Sequence, residues 1–365
     1  MMPTGRENIG RLVLLSGSVL LTLLCLELGC RLGRAPGLLI WWPNLVLQQR
    51  TGTDEFYKSA MAYDPVLGFF PRPNYASPRI NYDARGLRVA SSLSASASSE
   101  APVLATGDSY VHGNEVGDAE TWPAYLQTML GRRVINGGVT GYGLDQTVLR
   151  TERLTAELRP VVVVVSFIAD DLNRNERSRA WGLEKPYFSL SGGYLTLHNV
   201  PAPPSPDPSA ALSFWERAFG WSVLVDTILT RLHWPETWPA DSVRALPRGA
   251  GERMACPLMQ RLAALSIPTL VVAQYEPADW GDDNDLKAGH RRQTDTVIRC
   301  AAEAGLAVLD TFDILSLHGG QTGLPALFER EGHLTPEGNR LTAHAIGEQF
   351  IRRGMLPTVV RPVAP

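Results

Sequence analysis

Five consecutive valines, Val161 to Val165, constrain the fold of this chain more than any other feature. The five valines in "PVVVVVSFI" leave a strand no polar face to turn towards water. A strand of this kind is buried on both faces, as in a parallel sheet that helices cover above and below. The rest of the chain should therefore supply parallel partner strands and the helices that connect them.

Short apolar runs alternate with helical patterns on both sides of the valine run. The segments "PVLAT", "RRVING", "PTLVVAQYE" and "LAVLD" read as strands, and "TWPAYLQTML" and "LDQTVLRTERLTAELR" read as helices. Two further helices are predicted, from about Leu286 to Ala304 and from Pro336 to about Ile351. Strands that alternate with helices indicate an α/β domain built on a parallel sheet.

The amino-terminal segment determines the compartment. Arg6 and Arg11 precede an uncharged apolar core from Leu12 to Leu26, which Glu27 ends. We predict an uncleaved membrane anchor, and a cleaved signal peptide, a lipoprotein or a buried helix remain as alternatives. A basic tail that stays inside places the body outside the cytoplasm.

In such a compartment Cys256 and Cys300 could form a disulfide, although two separate buried thiols fit the sequence equally well. The four cysteines fit no zinc spacing, so no metal and no cofactor is predicted. The net charge of −3 and the lack of a long basic run give nucleic-acid binding little support.

Composition divides the chain into three parts. Residues 1–34 are the anchor or signal, residues 35–100 are an irregular preamble with a serine-rich linker, and residues 101–355 are the main domain. An insertion at about residues 176–250 interrupts that domain and contains the tryptophan-rich helix "ALSFWERAFGWSVLVDTILTRLHW". This helix could cap the site, touch the membrane surface or bind a partner, and packing on its own domain is the default expectation.

Four polar segments carry candidate chemistry. Three of them, "GDS" ending at Ser109, "NGGVTGYG" from Asn136 and "FIADDLNRN" from Phe167, directly follow predicted strands. The fourth, "EREGHLTPEGN", places His333 just before a helix whose positive end keeps an imidazole neutral. The carboxyl ends of parallel strands share one edge of a sheet, so these segments should meet there.

Taken in this order, the four segments resemble the blocks of the SGNH (GDSL-type) hydrolase superfamily over about residues 102 to 350. The preamble "DPVLGFFPRPN" and the run "GDSYVHG…ETWPAYL…VINGGVTGYGLDQ" look like a bacterial branch whose members carry an amino-terminal anchor. The resemblance implies a flavodoxin-like three-layer sheet with Ser109 as nucleophile and His333 as base. It also implies that the backbone N–H of Gly141 helps to hold the oxyanion.

One departure from the family pattern concerns the oxyanion hole. Asp170 stands where the family has an asparagine that donates an N–H to the oxyanion, and an ionised carboxylate would repel that charge. Asp170 must therefore be protonated or rotated away, or Asn173 or Asn175 must take over its role.

A second departure concerns the acid that orients the base. The family pattern places an aspartate three residues before the histidine, but Arg330 stands there. Glu331 is the nearest substitute, with Glu329 and Asp313 behind it, and we predict Glu331 as the acid.

These features predict an extracytoplasmic serine esterase or deacetylase that acts on an O-acyl ester, such as that of a glycan, through an acyl-Ser109 intermediate. It would be a single-pass protein of the inner membrane with its catalytic domain on the periplasmic side. An O-acyltransferase with a membrane-bound acyl-donor partner and a catalytically degraded scaffold are the alternatives. A metal-dependent phosphohydrolase using Asp108, Asp170 and Asp171 is a more remote one.

Overall fold

A computed structural model of the chain describes residues 5–34, 36–47, 59–90, 100–180, 183–204, 212–232 and 250–356. The strands are, in chain order, β1 Met61–Asp64, β2 Gly68–Pro71, β3 Val103–Thr106, β4 Val134–Asn136, β5 Val162–Phe167, β6 Arg179–Ala180, β7 Leu183–Glu184, β8 Tyr187–Ser191, β9 Tyr194–His198, β10 Thr269–Ala273 and β11 Ala307–Asp310. The helices are α1 Gly5–Arg34, α2 Ser109–His112, α3 Trp122–Leu130, α4 Leu144–Leu158, α5 Asp170–Arg174, α6 Phe214–Phe219, α7 Val223–Arg231, α8 Ala250–Arg253, α9 Ala255–Ala263, α10 Asn284–Glu303, α11 Phe312–Thr322 and α12 Pro336–Arg353. The serine-rich linker lies outside the described residues.

The central sheet has five parallel strands in the order β11-β10-β5-β3-β4. The valine strand β5 lies in the middle and pairs with β3 on one side and β10 on the other. This arrangement confirms the predicted three-layer α/β fold. After β3 the chain moves outward to β4 and then crosses to β5, so the strand order reverses between β3 and β5, where open α/β sheets place their ligand sites.

Alternating side chains of β5 build the core on both faces of the sheet. Val163, Val165 and Phe167 pack in the cluster that contains residues of α4, α9 and α10. Val162 and Val164 pack in the cluster that contains residues of α3 and α12. A polar side chain at any of these positions would be buried, which explains why the run is entirely apolar.

The described part of the preamble, residues 59–90, packs on this core. The β1–β2 hairpin brings the Phe69 ring edge-on to Tyr142, with ring centroids 5.2 Å apart. The side chain of Gln146 donates to the Leu67 carbonyl at 2.8 Å. The preamble thus supports the loop that follows β4 and opens α4.

A disulfide joins Cys256 on α9 to Cys300 on α10, with 4.6 Å between the two Cα atoms. The structure therefore resolves the alternative that the sequence left open for these two cysteines.

The chain divides into two compact units. One comprises Met1–Asp54 and Ser205–Leu246, and the other comprises Glu55–Pro204 and Pro247–Pro365. The predicted insertion is thereby shared between them: the hairpins β6–β7 and β8–β9 belong to the second unit, whereas α6 and α7 belong to the unit of the amino-terminal helix. The predicted domain limits at residues 34, 100 and 355 stay predictions.

The tryptophan-rich segment forms two helices where the sequence predicted one. α6 ends at Phe219, and the N–H of Gly220 donates back to the Glu216 carbonyl at 2.9 Å. α7 begins at Val223, whose N–H donates to the carboxylate of Glu27. Glu27 on α1, far away in the sequence, therefore caps α7 and explains why one helix ends and another begins here.

α1 contains the segment Ile9–Arg34, whose most apolar 18-residue stretch has a mean hydropathy of 2.1 and almost no buried surface. By length and composition it could cross a membrane as an anchor, or it could serve as a signal sequence.

Candidate active site

The loop after β3 places Ser109 at the carboxyl edge of the sheet. A side chain at Gly107 would approach the Ser166 carbonyl to 2.6 Å, so only glycine lets the chain turn here. Asp108 caps α2 by accepting the Tyr110 N–H at 3.0 Å. Ser109 is the first residue of α2, and its hydroxyl donates to Asp108 Oδ2 at 3.4 Å.

His333 reaches the same edge from the loop before α12. The OH of Tyr110, the neighbour of Ser109, donates to the Gly332 carbonyl at 2.7 Å. The rings of Tyr110 and His333 lie 5.4 Å apart. These contacts join the nucleophile loop to the histidine loop. The Ser109 hydroxyl points to Asp108, so it must rotate away from that carboxylate to reach the imidazole.

Glu115 holds the imidazole. His333 Nδ1 lies 3.0 Å from Glu115 Oε2, and the same oxygen accepts the His333 backbone N–H at 3.2 Å. An Nδ1 that donates to a carboxylate leaves Nε2 free to accept a proton, as a general base requires.

Glu331, the acid predicted from the sequence, lies elsewhere. Its side chain is exposed, and its backbone N–H donates to Glu115 Oε1 at 3.0 Å. The Glu329 N–H donates to the His333 carbonyl at 2.7 Å, so residues 329–333 form a tight turn. Glu115 binds the inside of that turn, whereas the Glu331 side chain projects outward.

The sequence contained a signal for Glu115 that our prediction missed. Glu115 follows Ser109 by six residues in "GDSYVHGNEV", so it belongs to the same sheet edge as the nucleophile. The family pattern pointed to acids that precede His333 in the sequence, and Glu115 lies far from all of them. Glu115 also has a φ of 68°, a left-handed conformation that the sequence gave no reason to expect for a glutamate.

The loop after β4 packs against the nucleophile loop. The Val139 N–H donates to the Gly107 carbonyl at 3.0 Å, and the Asn136 amide donates to the Val111 carbonyl at 2.9 Å. Gly141 has a φ of 80°. Within the part of the chain that the structure describes, no group accepts the backbone N–H of Gly141 or that of Ser109. Two unpaired N–H groups at one sheet edge are the donors that an oxyanion needs.

A hydrogen-bond chain couples the preamble to these loops. The Tyr82 hydroxyl lies 2.7 Å from His112 Nε2, and His112 Nδ1 lies 2.6 Å from Asn114 Oδ1. Thr140 donates to the same Asn114 oxygen at 2.7 Å. Burial, assisted by the nearby Arg88 charge, holds the pKa of His112 well below its ordinary value. His112 is therefore a neutral structural histidine, and both of its ring nitrogens have partners.

Arg174 organises the loop after β5. Its guanidinium lies 2.7 Å from Asp171 Oδ1, 2.8 Å from Asp170 Oδ2 and 3.7 Å from Asp108 Oδ2. The three carboxylates that the sequence offered as metal ligands therefore surround a guanidinium. Among the described residues there is no group of three or more histidine, cysteine, aspartate or glutamate side chains arranged to hold a metal ion.

Asp170 is ionised in this arrangement. Burial alone would raise its pKa, but the Arg174 charge and a 3.1 Å hydrogen bond from Asn173 lower the pKa below its ordinary value. Burial raises the pKa of Asp108 despite Arg174, and burial together with the Asp108 charge raises that of Asp171 well above the usual range. Of the three, Asp170 is the one whose pKa is lowered.

The two asparagines that could replace Asp170 differ in their surroundings. Asn175 is buried and accepts the Asp145 N–H at 2.9 Å, so it serves the start of α4. Asn173 donates one amide hydrogen to Asp170 and accepts from Gln293 at 2.8 Å. An amide nitrogen has two hydrogens, so Asn173 retains one donor.

Glu276 is a further carboxyl group of the site that we did not predict from the sequence. Glu276 follows β10, and its backbone N–H donates to Asp279 at 2.8 Å. Burial, reinforced by the Asp170 charge, raises the pKa of Glu276 to about 7. Its position in "VVAQYE", directly after a buried strand, was the available signal.

Comparison with known proteins identifies the family of the chain. The model of the GDSL-like lipase/acylhydrolase family matches residues 105–341. A lipolytic G-D-S-L protein from Veillonella parvula is 15% identical, with 69% of this chain and 98% of that chain covered and a TM-score of 0.39.

Two other solved structures are similar to the same extent. A catalytic mutant of an acetylxylan esterase from Geobacillus stearothermophilus is 15% identical over 69% of this chain and 94% of that chain, with a TM-score of 0.40. An α/β hydrolase from the metagenome of Lake Arreo is 16% identical over 72% of this chain and 98% of that chain, with a TM-score of 0.42. No curated protein matches the chain.

Proposed function

Because the chain belongs to the GDSL-like lipase/acylhydrolase family, we propose that it is an extracytoplasmic serine esterase or deacetylase that hydrolyses an O-acyl ester of a glycan. The observation that carries this proposal is the hydrogen bond between Glu115 and His333 Nδ1 on the sheet edge that also presents Ser109. A histidine oriented in this way can activate a serine hydroxyl.

In the proposed reaction Ser109 Oγ bonds to the acyl carbon while its proton passes to His333 Nε2. The carbonyl oxygen becomes an oxyanion and accepts the N–H groups of Ser109 and Gly141. His333 then gives the proton to the departing alcohol, and the acyl group remains on Ser109. Water repeats the two steps, releases the carboxylic acid and restores the serine.

In this proposal Glu115 replaces Glu331 as the acid that fixes the imidazole tautomer. It stabilises the imidazolium that forms when the serine loses its proton. The lack of an aspartate at Arg330 then removes no catalytic group, which weakens the case for a degraded scaffold. The remaining unusual feature is the ionised Asp170, which would oppose the oxyanion.

Two features support the proposed location. A disulfide such as Cys256–Cys300 persists in oxidising compartments and is rare in the cytosol. The apolar part of α1 follows the basic residues Arg6 and Arg11, an order that favours an anchor whose amino terminus stays inside. We therefore propose an inner-membrane anchor with the catalytic unit on the periplasmic side.

The test is a hydrolysis assay on the full chain in detergent, with p-nitrophenyl acetate and an O-acetylated oligosaccharide as substrates. We expect acetate release that falls at least about 10³-fold in Ser109→Ala. The matched control is Ser189→Ala, which removes the hydroxyl of another Ser–His pair, 2.7 Å from His198 on the β8–β9 hairpin. Acetyl groups that move to a second oligosaccharide in preference to water would contradict the esterase and indicate the acyltransferase.

A further inference from the structure

α6 exposes aromatic side chains and buries a charged one. Phe214 is 72% exposed and Trp215 is 63% exposed, whereas Glu216 is only 6% exposed. Glu216 accepts the Ser213 N–H at 2.6 Å and thereby closes the start of the helix. This pattern is the reverse of a helix that faces water, where apolar side chains are buried.

Further exposed aromatic side chains belong to the same compact unit as α6, and together with those of α6 they are here termed the aromatic platform. Its members are Trp41, Trp42, Phe214, Trp215, Phe219 and Trp221, all of which are exposed. The segment before α6 and the end of α6 are tied together, since the Leu45 N–H donates to the Gly220 carbonyl at 2.6 Å. Patches of this kind on soluble monomers mark interaction sites.

The last two turns of α1 hold the platform. Arg31 is fully buried and lies 2.7 Å from Glu27. Its guanidinium donates to the Trp221 carbonyl at 2.6 Å and stacks 3.5 Å from the centre of the Trp42 ring. Arg34 forms an ion pair with Asp226 of α7. The platform therefore lies at the level of Arg31 along α1.

The carboxylate of Glu27 caps the amino-terminal end of α7. This carboxylate accepts the N–H groups of Val223 at 2.9 Å and Leu224 at 3.0 Å, and the Ser222 hydroxyl at 2.7 Å. Cleavage of the amino-terminal segment after Glu27 would leave these three donors without their acceptor. The contacts thus favour retention of α1 in the mature protein.

The length of α1 sets the depth of the platform. The uncharged stretch from Leu12 to Leu26 covers roughly 22 Å at 1.5 Å per residue, most of the hydrocarbon core of a bilayer. Arg31 lies about 6 Å beyond Glu27 along the axis, which corresponds to the headgroup region. Tryptophan rings are enriched at this depth because they have an apolar body and a polar N–H.

We propose that the aromatic platform lies in the headgroup region of the same bilayer that α1 crosses. The occupant is lipid because α1, in the same unit, is long and apolar enough to cross a membrane. This inference rests on the proposed membrane anchor and adds a second, interfacial contact to it. The helices α6 and α7 are then membrane-surface elements, and they fix the unit that carries them at a defined depth.

The test uses the full chain reconstituted in vesicles of phosphatidylethanolamine and phosphatidylglycerol. In a Cys25→Ser, Cys30→Ser background, an environment-sensitive fluorophore is attached at Trp215→Cys, at Leu14→Cys in α1 or at Tyr194→Cys on β9. Tyr194 is 81% exposed and serves as the water-facing control. We expect spin-labelled lipids to quench the label at 215 at least about threefold more than the label at 194, with iodide showing the opposite order.

Each of the other possible results would contradict the proposal and would show which part of it is wrong. Iodide quenching at 215 equal to that at 194, with the label at 14 in lipid, would show an anchor without an interfacial platform. A label at 215 that neither quencher reaches would indicate a protein partner or a second copy. A label at 14 outside lipid would remove the anchor as well. Hydrolysis of p-nitrophenyl acetate by the same vesicles reports separately on the esterase.

Glu27→Ala tests how the platform is held. Loss of the cap should reduce lipid quenching at 215 by about half and leave the label at 14 unchanged, because α1 still crosses the bilayer. Unchanged quenching at 215 would contradict the role of α1 in positioning the platform. Ester hydrolysis should not change, since Glu27 lies outside the compact unit that contains Ser109 and His333.

Discussion

At the scale of single residues, the partner of His333 decides how the proposed base works. We expect Glu115→Gln to lower kcat by about 10²- to 10⁴-fold, because an amide cannot stabilise the imidazolium. The matched change Glu331→Gln should stay within about twofold, since that side chain is exposed. Steady-state kinetics of both variants checks this, and a larger loss in Glu331→Gln would restore the acid predicted from the sequence.

Asp170 belongs to the same scale, and there the expected change is a gain. Asp170→Asn removes a negative charge near the oxyanion and supplies an N–H donor, so kcat should rise by about tenfold or more. Asp170→Ala removes the charge without adding the donor, so comparison of the two separates the effects. A fall in kcat for both variants, with unfolding temperatures unchanged, would show that the carboxylate itself assists the reaction.

Some of these residues could be assigned from the sequence and others could not. Ser109 and Gly141 lie in the loops that follow β3 and β4. The functional residues of a parallel sheet are expected in such loops, so both residues could be predicted. The contact between Glu115 and His333 joins residues 218 positions apart and depends on a left-handed backbone at Glu115. The position of Glu115 after β3 made it a candidate, but neither local pattern nor periodicity encodes its contact with His333.

At the scale of secondary-structure elements, the Cys256–Cys300 disulfide links α9 to α10 across 44 residues. Replacing both cysteines with alanine should lower the free energy of unfolding by about 3–4 kcal/mol, chiefly because the unfolded chain regains the conformational freedom of a long loop. Urea unfolding of the full chain in detergent measures this. Cys25→Ser with Cys30→Ser is the control and should leave the midpoint unchanged, whereas an equal shift in the control would refute the assignment.

Elements were predictable where the pattern is local. The five parallel strands and the helices at Asn284–Glu303 and Pro336–Arg353 follow from apolar periodicity and are confirmed. The break between α6 and α7 depends on Glu27, almost two hundred residues earlier in the chain, so no local signal announced it. A cap supplied by a residue so distant in sequence cannot be predicted from the sequence of the helix alone.

At the scale of the whole molecule, Glu276 should make stability depend on pH. Its pKa is about 7 in the folded protein, above the ordinary value of 4.5, so the folded state holds a proton that the unfolded state releases. This contribution is present below about pH 4.5 and is lost as pH rises to about 7, a change on the order of 1–3 kcal/mol. Glu276→Gln should flatten that part of the thermal unfolding profile, and Glu331→Gln should not. An unchanged slope in Glu276→Gln would contradict the desolvation that raises the pKa of this half-buried carboxyl.

The central claim for the whole molecule is that Ser109 is an activated nucleophile. Its most direct test is fluorophosphonate labelling of the full chain in detergent, with the modified residue located by peptide mass spectrometry. We predict labelling at Ser109 that Ser109→Ala abolishes, that His333→Ala slows by at least about 10²-fold, and that Ser189→Ala leaves unchanged. Labelling at another residue, or none in a protein with its native unfolding temperature, would contradict the account.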